Sequence, residues 1–384
     1  MVKGIAIIGA GMIGAAHASA YRQYAHRFNP APGVLHTVCD MNGMAARKLA
    51  ADWGFAHVAT DWKKVIADPQ VDVVSVCLPD FLHTEVTLAA LAAGKHVLCE
   101  KPLALSAAQA RPVHEAALKA TTVSGTVFNY RRIPALAEIR ARVVAGDLGR
   151  PVQISVAFQC DYAADPLLPH SWRYEFAKAG PGALLDVGTL AVDMLRFLFG
   201  EVQSVVGAAS TISIAERRLP LGTTSGHGHV ALSDKMAAVD NDDVMTALLR
   251  FANGAQGTMT ASRVAVGSGN RLTVEVMGTR GTARFTTETP SYYEMALLTE
   301  GGPTGFQRIM NRPGSPNIGG LVAVPHDSVA VGYSEWFGFM IHEFLTCIAE
   351  GRAFDNGSIA DGYHTAIVLD AIQRESGNEV PPLI

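Results

Sequence analysis

Two short stretches hold most of the chemistry that this 384-residue chain can offer. Gly9-Ala10-Gly11-Met12-Ile13-Gly14 follows one apolar run, and Cys99-Glu100-Lys101-Pro102 follows another. In the first, Gly9 permits a tight turn, Gly11 lets the main chain approach a phosphate, and Gly14 lets a helix pack close to its strand. A helix starting at Met12 and Ile13 then presents free N–H groups and a positive dipole end to a dinucleotide pyrophosphate. In the second, Glu100 and Lys101 stand where the nicotinamide of such a dinucleotide would end. A cationic donor beside a carbinol oxygen stabilises the alkoxide that develops as hydride leaves the carbon.

The elements around these stretches agree with that chemistry. Residues 3–8 read as a buried strand and 12–24 carry small and apolar residues at helical spacing. Val34 to Cys39 reads as the next strand, with Asp40 at its end. There a carboxylate accepts hydrogen bonds from ribose hydroxyls and repels a 2′-phosphate, favouring NAD over NADP; capping of the following helix is the competing role, and Arg47 leaves NADP open. Strands at 71–77, 96–99 and 122–127 then alternate with helices at 81–93 and 106–119. Their continuous apolarity is that of a parallel sheet buried on both faces, a Rossmann-type doubly wound α/β domain over residues 1–127.

Beyond Phe128 the rhythm changes to two-residue alternation, at 152–158, 244–251, 256–262, 271–277 and 282–285. These segments predict a large, mostly antiparallel open sheet with helices on one face, so residues 128–384 read as a substrate-binding and oligomerisation α/β domain. Phe128 to Arg132 is expected at the crevice between domains. Gly222 to Gly228 and Gly301 to Gly320 read as loops. Helices are expected at 334–350 and 358–376, the last packing back on the first domain.

Composition narrows the function classes. The net charge is −4 with no basic stripe, which argues against a nucleic-acid partner. No apolar run reaches membrane-spanning length, because Asp186, Asp193 and Arg196 interrupt the richest one. Ala18-Ser19-Ala20 imitates a signal cleavage site, yet a cut there would delete the glycine loop, so the segment reads as fold and the location as cytoplasmic. The five cysteines lack metal-ligand spacing and read as small core residues in a reducing compartment. His227-Gly-His229 has the look of a metal pair, but its flexible context without a third ligand favours a solvated loop, and no metal is expected.

The motifs together resemble the Gfo/Idh/MocA oxidoreductases, a family that includes glucose-fructose oxidoreductase and inositol 2-dehydrogenase. The resemblance runs along essentially the whole chain. It is carried by Gly9 to Gly14, Pro79-Asp80-Phe81-Leu82-His83, Cys99 to Pro102, Phe128-Asn129-Tyr130-Arg131-Arg132, Trp172-Arg173 and Gly182 to Gly188. It implies reversible oxidation of a sugar or cyclitol hydroxyl, with Lys101 and Asp186 in the catalytic site and Pro79 and His83 beside the cofactor. Asn129, Tyr130, Asp161, Arg173 and Asp186, with Lys101, are the implied substrate contacts. Of Arg131 and Arg132, at most one is expected to touch ligand. One helical turn past Asp186 many relatives carry a histidine that works as acid or base, whereas this chain has Leu190. His170 is the first substitute to test, against the competing role of a loop histidine with a structural hydrogen bond.

Three functions are compatible with these residues. One is an NAD(P)-dependent dehydrogenase or reductase for a sugar, sugar derivative or inositol. Another cleaves or epimerises a glycoside through transient oxidation by bound NAD, and the third is a dinucleotide-binding regulatory protein without catalysis. An open sheet face needs cover, so a homodimer or homotetramer is expected, with a small-molecule sugar or cyclitol as the other partner.

Overall fold

Short runs of three to six residues assemble into a parallel sheet whose central strands β1, β4 and β5 are apolar and almost wholly buried. The computed structural model describes residues 4–24, 33–222, 226, 228–318, 326–328 and 330–377. The chain begins β1 (Gly4–Ile8), α1 (Met12–Tyr24), β2 (Val34–Cys39), α2 (Gly43–Trp53), β3 (His57–Ala59) and α3 (Trp62–Ala67). It continues β4 (Val73–Val76), α4 (His83–Ala92), β5 (His96–Cys99), α5 (Ala107–Lys119) and β6 (Ser124–Thr126). The six strands run parallel in the order β3-β2-β1-β4-β5-β6, so the strand order reverses between β1 and β4. Ligands of doubly wound sheets bind at the carboxyl ends of the strands near such a reversal.

Local chemistry sets the helix ends. Asn42 caps α2, its side chain accepting from the main-chain N–H groups of Met44 and Ala45, and Gly54 closes that helix in the left-handed region. Ser106 caps α5 by accepting from Gln109 N. Ala18 and Ala20, the pair that imitates a cleavage site, are 0% and 1% exposed within α1. Their small side chains let α1 lie close to the sheet.

The second body opens with α6 (Pro134–Ala145), β7 (Pro151–Gln159), α7 (Phe176–Ala179), α8 (Gly182–Asp186) and α9 (Gly188–Phe199). It continues with β8 (Val202–Thr211), β9 (Glu216–Pro220), β10 (Leu232–Ala238), β11 (Val244–Phe251), β12 (Gln256–Ser262), β13 (Arg271–Gly278) and β14 (Gly281–Thr286), then β15 (Tyr292–Thr299), β16 (Gly302–Pro303) and β17 (Gln307–Met310). Nine strands form one sheet in the order β16-β15-β14-β13-β7-β12-β11-β8, with β17 also paired to β15. Among the described strands of this sheet only the β7–β12 pairing is parallel. β9 and β10 make a separate two-stranded sheet. Alternation is plain in β11, where Met245, Ala247, Leu249 and Phe251 are buried while Thr246, Leu248 and Arg250 are exposed.

Helices α10 (Tyr333–Glu350) and α11 (Ile359–Glu375) end the described chain. Here the domain reading is corrected: one compact unit comprises Met1–Asn129 with Gly332–Ala366, the other Tyr130–Val331 with Ile367–Ile384. α10 carries Phe337, Met340, Ile341 and Phe344 into the same core as Ala18 and Tyr21 of α1, because a stripe this apolar must be covered. One further expectation is revised. Gly301 to Gly320 is not wholly loop, since Gln307–Met310 pairs with β15. Arg131 is drawn into a buried ion pair, with its Nη2 2.6 Å from Asp193 Oδ1, and Arg132 is 0% exposed.

Candidate active site

The glycine loop has the shape that its sequence requires. Gly9 has φ +111°, and a Cβ there would strike the Cys77 carbonyl oxygen; a Cβ on Gly14 would strike the Gly9 carbonyl oxygen. At Gly11 a Cβ would meet nothing within 4 Å. The loop is therefore packed tight on its inner side and open on its outer side, where Gly11 and Met12 are exposed and Ile13 is half-buried. That open cradle at a helix N-terminus fits a dinucleotide diphosphate.

Asp40 follows β2, with Oδ2 accepting from Ala10 N at 2.8 Å and Oδ1 from Asn42 N at 2.8 Å. The carboxylate is thereby fixed to the glycine loop itself. Asn42, not Asp40, caps α2, which removes the role that competed with ribose binding.

Lys101 emerges half-buried at the carboxyl end of β5 and joins Pro102 through a cis peptide bond. Its main-chain N–H donates to Glu100 Oε2 at 3.1 Å. The other oxygen, Glu100 Oε1, lies 3.0 Å from His17 Nε2, and His17 Nδ1 lies 3.1 Å from Ser75 Oγ, which also meets the Tyr21 hydroxyl at 2.9 Å. Glu100 is 5% exposed and His17 0%, so this network joins α1, β4 and β5 inside the core. Burial raises the Tyr21 phenol well above its ordinary range, which keeps it protonated.

His83, expected at the cofactor, is 1% exposed and its ring faces two carbonyl oxygens: Pro102 O at 2.6 Å from Nδ1 and Leu78 O at 2.8 Å from Nε2. It ties the lysine turn to the end of β4, and Pro79 begins the short turn of 3-10 helix at Asp80–Leu82 that leads into it. Asn129 is 4% exposed, and its amide nitrogen has no hydrogen-bond partner among the described residues. A buried donor left unpaired costs on the order of 1–3 kcal/mol, so this amide suits a ligand oxygen.

In the second body Asp186 ends the five-residue helix α8. From Ala179 to Arg196 every residue is buried except Asp186. The Tyr162 hydroxyl donates to its Oδ2 at 2.5 Å. Burial first, and the Asp186 carboxylate second, push the Tyr162 phenol well above its usual value of 10. Tyr162 therefore acts as a donor at neutral pH and not as a base.

A scaffold of buried charge holds α8 in place. Ala183 N donates to Asp242 O at 2.8 Å and Leu184 N to Asp242 Oδ2 at 2.9 Å. Arg263, 1% exposed, donates from Nε to Asp243 Oδ1 at 2.7 Å and from NH2 to Asn241 Oδ1 at 2.8 Å. Asn241 Nδ2 in turn donates to the main-chain oxygens of Arg173 and Gly180. The Arg173 guanidinium lies 4.4 Å over the Trp172 ring.

The remaining expected residues have defined partners. Asn270 Nδ2 donates to the Tyr130 hydroxyl at 2.9 Å, and Asp161 Oδ2 accepts from Gly267 N at 3.2 Å. His170 is 7% exposed, with Nε2 3.0 Å from Ala238 O, a contact that fastens its loop to the end of β10. Leu190 is 6% exposed. His227 lies outside the described residues, and His229 is an exposed ring with Nε2 3.7 Å from Asp165 Oδ2. Sequence reasoning missed His17, Tyr162, Asn241 to Asp243 and Arg263. The available signal was weak: polar side chains embedded in otherwise small or apolar helices and strand ends.

Two family models match this chain. Residues 3–127 match an oxidoreductase family model with an NAD-binding Rossmann fold, and residues 136–284 match the GFO/IDH/MocA C-terminal domain. A levoglucosan dehydrogenase from Pseudarthrobacter phenanthrenivorans is 36% identical over 379 residues, 98% of this chain and 96% of that protein. A myo-inositol 2-dehydrogenase from Thermotoga maritima is 28% identical over 72% of this chain and 73% of its own length. Among solved structures, a levoglucosan dehydrogenase in complex with NADH and levoglucosan superposes with a TM-score of 0.88 at 34% identity, covering 98% of this chain and 97% of that one. The complex of that enzyme with NADH and L-sorbose gives 0.89 at 35% identity. The glycine cradle, the lysine at the end of β5 and the two matched domains lead to one conclusion: the chain belongs to the Gfo/Idh/MocA family of oxidoreductases.

Proposed function

We propose that this protein is an NAD-dependent dehydrogenase that oxidises a ring hydroxyl of a sugar or close sugar derivative, with Lys101 as the group that polarises the reacting oxygen. The observation that carries the reading lies within the first body. Lys101 stands half-buried at the carboxyl end of a sheet whose glycine loop is open at Gly11, and its main chain is held by Glu100 on one side, while His83 grips the carbonyl of Pro102 on the other. A lysine whose main chain is so fixed stands at the strand ends, within reach of a ligand bound there.

NAD, when bound, accepts the hydride given up by the carbinol carbon. The protein's own part is the oxygen: the Lys101 ammonium donates to it and stabilises the developing alkoxide as the hydroxyl proton leaves to water. Gly11, Met12 and Ile13 would hold the diphosphate, Asp40 the adenosine ribose, and Asn129 would supply a donor to a ligand oxygen. Asp186 accepts from a substrate hydroxyl. His170, tied to Ala238 O, serves the loop and takes no proton.

Likeness to a levoglucosan dehydrogenase across nearly the whole of both chains supports a pyranose-derived substrate over a cyclitol. The test is incubation of the protein with NAD and levoglucosan, D-glucose, L-sorbose or myo-inositol, following absorbance of reduced nicotinamide. Net reduction with a sugar supports the proposal. Product without net reduction would replace it with transient oxidation, and NADH binding without turnover of any panel member would replace it with a regulatory role.

A further inference from the structure

We propose that Tyr162 is a positioning residue for this reaction: its phenol donates to Asp186 and holds the carboxylate in the orientation from which it meets a sugar hydroxyl. The inference rests on the reading of Asp186 as a substrate contact and extends it to a residue beside β7 that no motif singled out. Asp186 is the one residue between Ala179 and Arg196 that is not buried, at the last position of a short helix where Val187 interrupts the path into α9. An aspartate carboxyl has a broad terminal torsion, so its direction must be set by a partner.

Tyr162 is suited to set it. Its ring packs on the buried cluster of Ala163, Leu168, Tyr174 and Val239, which fixes where the hydroxyl can be. The residue follows β7 through a turn closed by Ala164 N donating to Asp161 O at 2.9 Å. From this base the phenol reaches Asp186 Oδ2 at 2.5 Å. Arg263 and Asp243, paired at 2.7 Å, hold the neighbouring strand end, so donor and acceptor both stand on braced backbone. The phenol stays protonated through neutral pH, because burial and the adjacent carboxylate both disfavour its anion. No proton is transferred; the effect is alignment, for which an error of about 1 Å costs on the order of 100-fold in rate.

The experiment is a double-mutant cycle on the full chain with NAD, using Tyr162→Phe, Asp186→Asn and the pair together, with whichever of levoglucosan, D-glucose, L-sorbose or myo-inositol is turned over fastest. Tyr162→Phe is expected to lower kcat about 10- to 100-fold, with KM within about threefold and NADH affinity unchanged. The isotope effect with substrate deuterated at the reacting carbon should rise, since misalignment makes hydride transfer slower. The double variant should be no slower than Asp186→Asn alone, because Tyr162 acts only through Asp186. Unchanged kcat in Tyr162→Phe, additive losses in the double variant, or a drop in thermal midpoint above about 10 °C with normal turnover of the folded fraction would overturn the proposal. If Asp186→Asn itself is fully active, or no panel member is oxidised, the underlying functional reading fails instead.

Discussion

Gly11→Ala separates cofactor binding from folding, because the open side of the glycine loop holds nothing but space. An ideal Cβ at Gly11 has no heavy atom within 4 Å, and the residue is not in the left-handed region. Its carbonyl accepts from Ala15 N at 3.0 Å, so it occupies the cap position of α1. Alanine is a slightly poorer cap than glycine, but it lowers the entropy of the unfolded chain by an amount worth about 0.4–1 kcal/mol. These effects nearly cancel, and the thermal midpoint of the cofactor-free protein should move by no more than about 2–4 °C. A bound diphosphate would meet the new methyl group where it now meets main chain. Loss of one hydrogen bond to a charged group, worth about 1.5–3 kcal/mol, predicts an NADH affinity lower by about 10- to 100-fold. Fluorescence titration with NADH and a thermal melt measure the two quantities on the same sample. Gly14→Ala is the control, since its Cβ would collide with the Gly9 carbonyl oxygen and should lower the melting temperature of the cofactor-free protein. Unaltered NADH affinity in a well-folded Gly11→Ala protein would refute the assignment of this loop to the diphosphate.

Two further outcomes follow from the same structure. Burial raises the thiol of Cys39 to about 11 and that of Cys99 to about 12 from an ordinary 9.0. Folded values above unfolded ones mean that this stabilisation is complete below about pH 9 and is lost as pH rises towards 11–12, so the urea midpoint should hold at neutral pH and fall above pH 9, less steeply in Cys99→Ala. His170→Ala should lower stability by only about 0.5–1.5 kcal/mol, by removing its hydrogen bond to the Ala238 carbonyl at the exposed end of β10, while kcat/KM of the folded enzyme is retained; a large loss of turnover would return His170 to the proton path.

The first body was legible because its strands are short apolar runs punctuated by glycine. Val34–Cys39, His96–Cys99 and helix Met12–Tyr24 appear where the pattern places them, since a sheet buried on both faces leaves almost no polar position to confuse the reading. His57–Ala59 escaped notice: a three-residue edge strand with two exposed side chains has no core pattern to show. β8 was hidden for a related reason, since Gln203, Ser204 and Ala209 are exposed and the strand lies at the edge of its sheet.

The site divides along the same line. Glycine positions and Lys101 follow from local rules of turn and strand end, but the side chains that brace them come from distant sequence. His17 reaches Glu100, and Asn241 reaches Arg173 and Gly180, through contacts that only the fold creates. Glu100 shows the consequence. Sequence reasoning placed it at the cofactor, whereas its carboxylate turns inward to His17 and to the main chain of Lys101. Tyr162 lay one residue from Asp161, and nothing in the sequence told which of the two would meet Asp186.

Lys101→Met tests the account most directly, because it keeps the length of the side chain and removes only the ammonium. The measurement is kcat for sugar-dependent reduction of NAD beside NADH affinity in the same preparation. The account predicts turnover reduced by about 100- to 1,000-fold with NADH affinity within about threefold, the loss expected when a transition-state donor is removed and cofactor contacts are kept. A methionine variant that still oxidises its sugar at near the parental rate would contradict it.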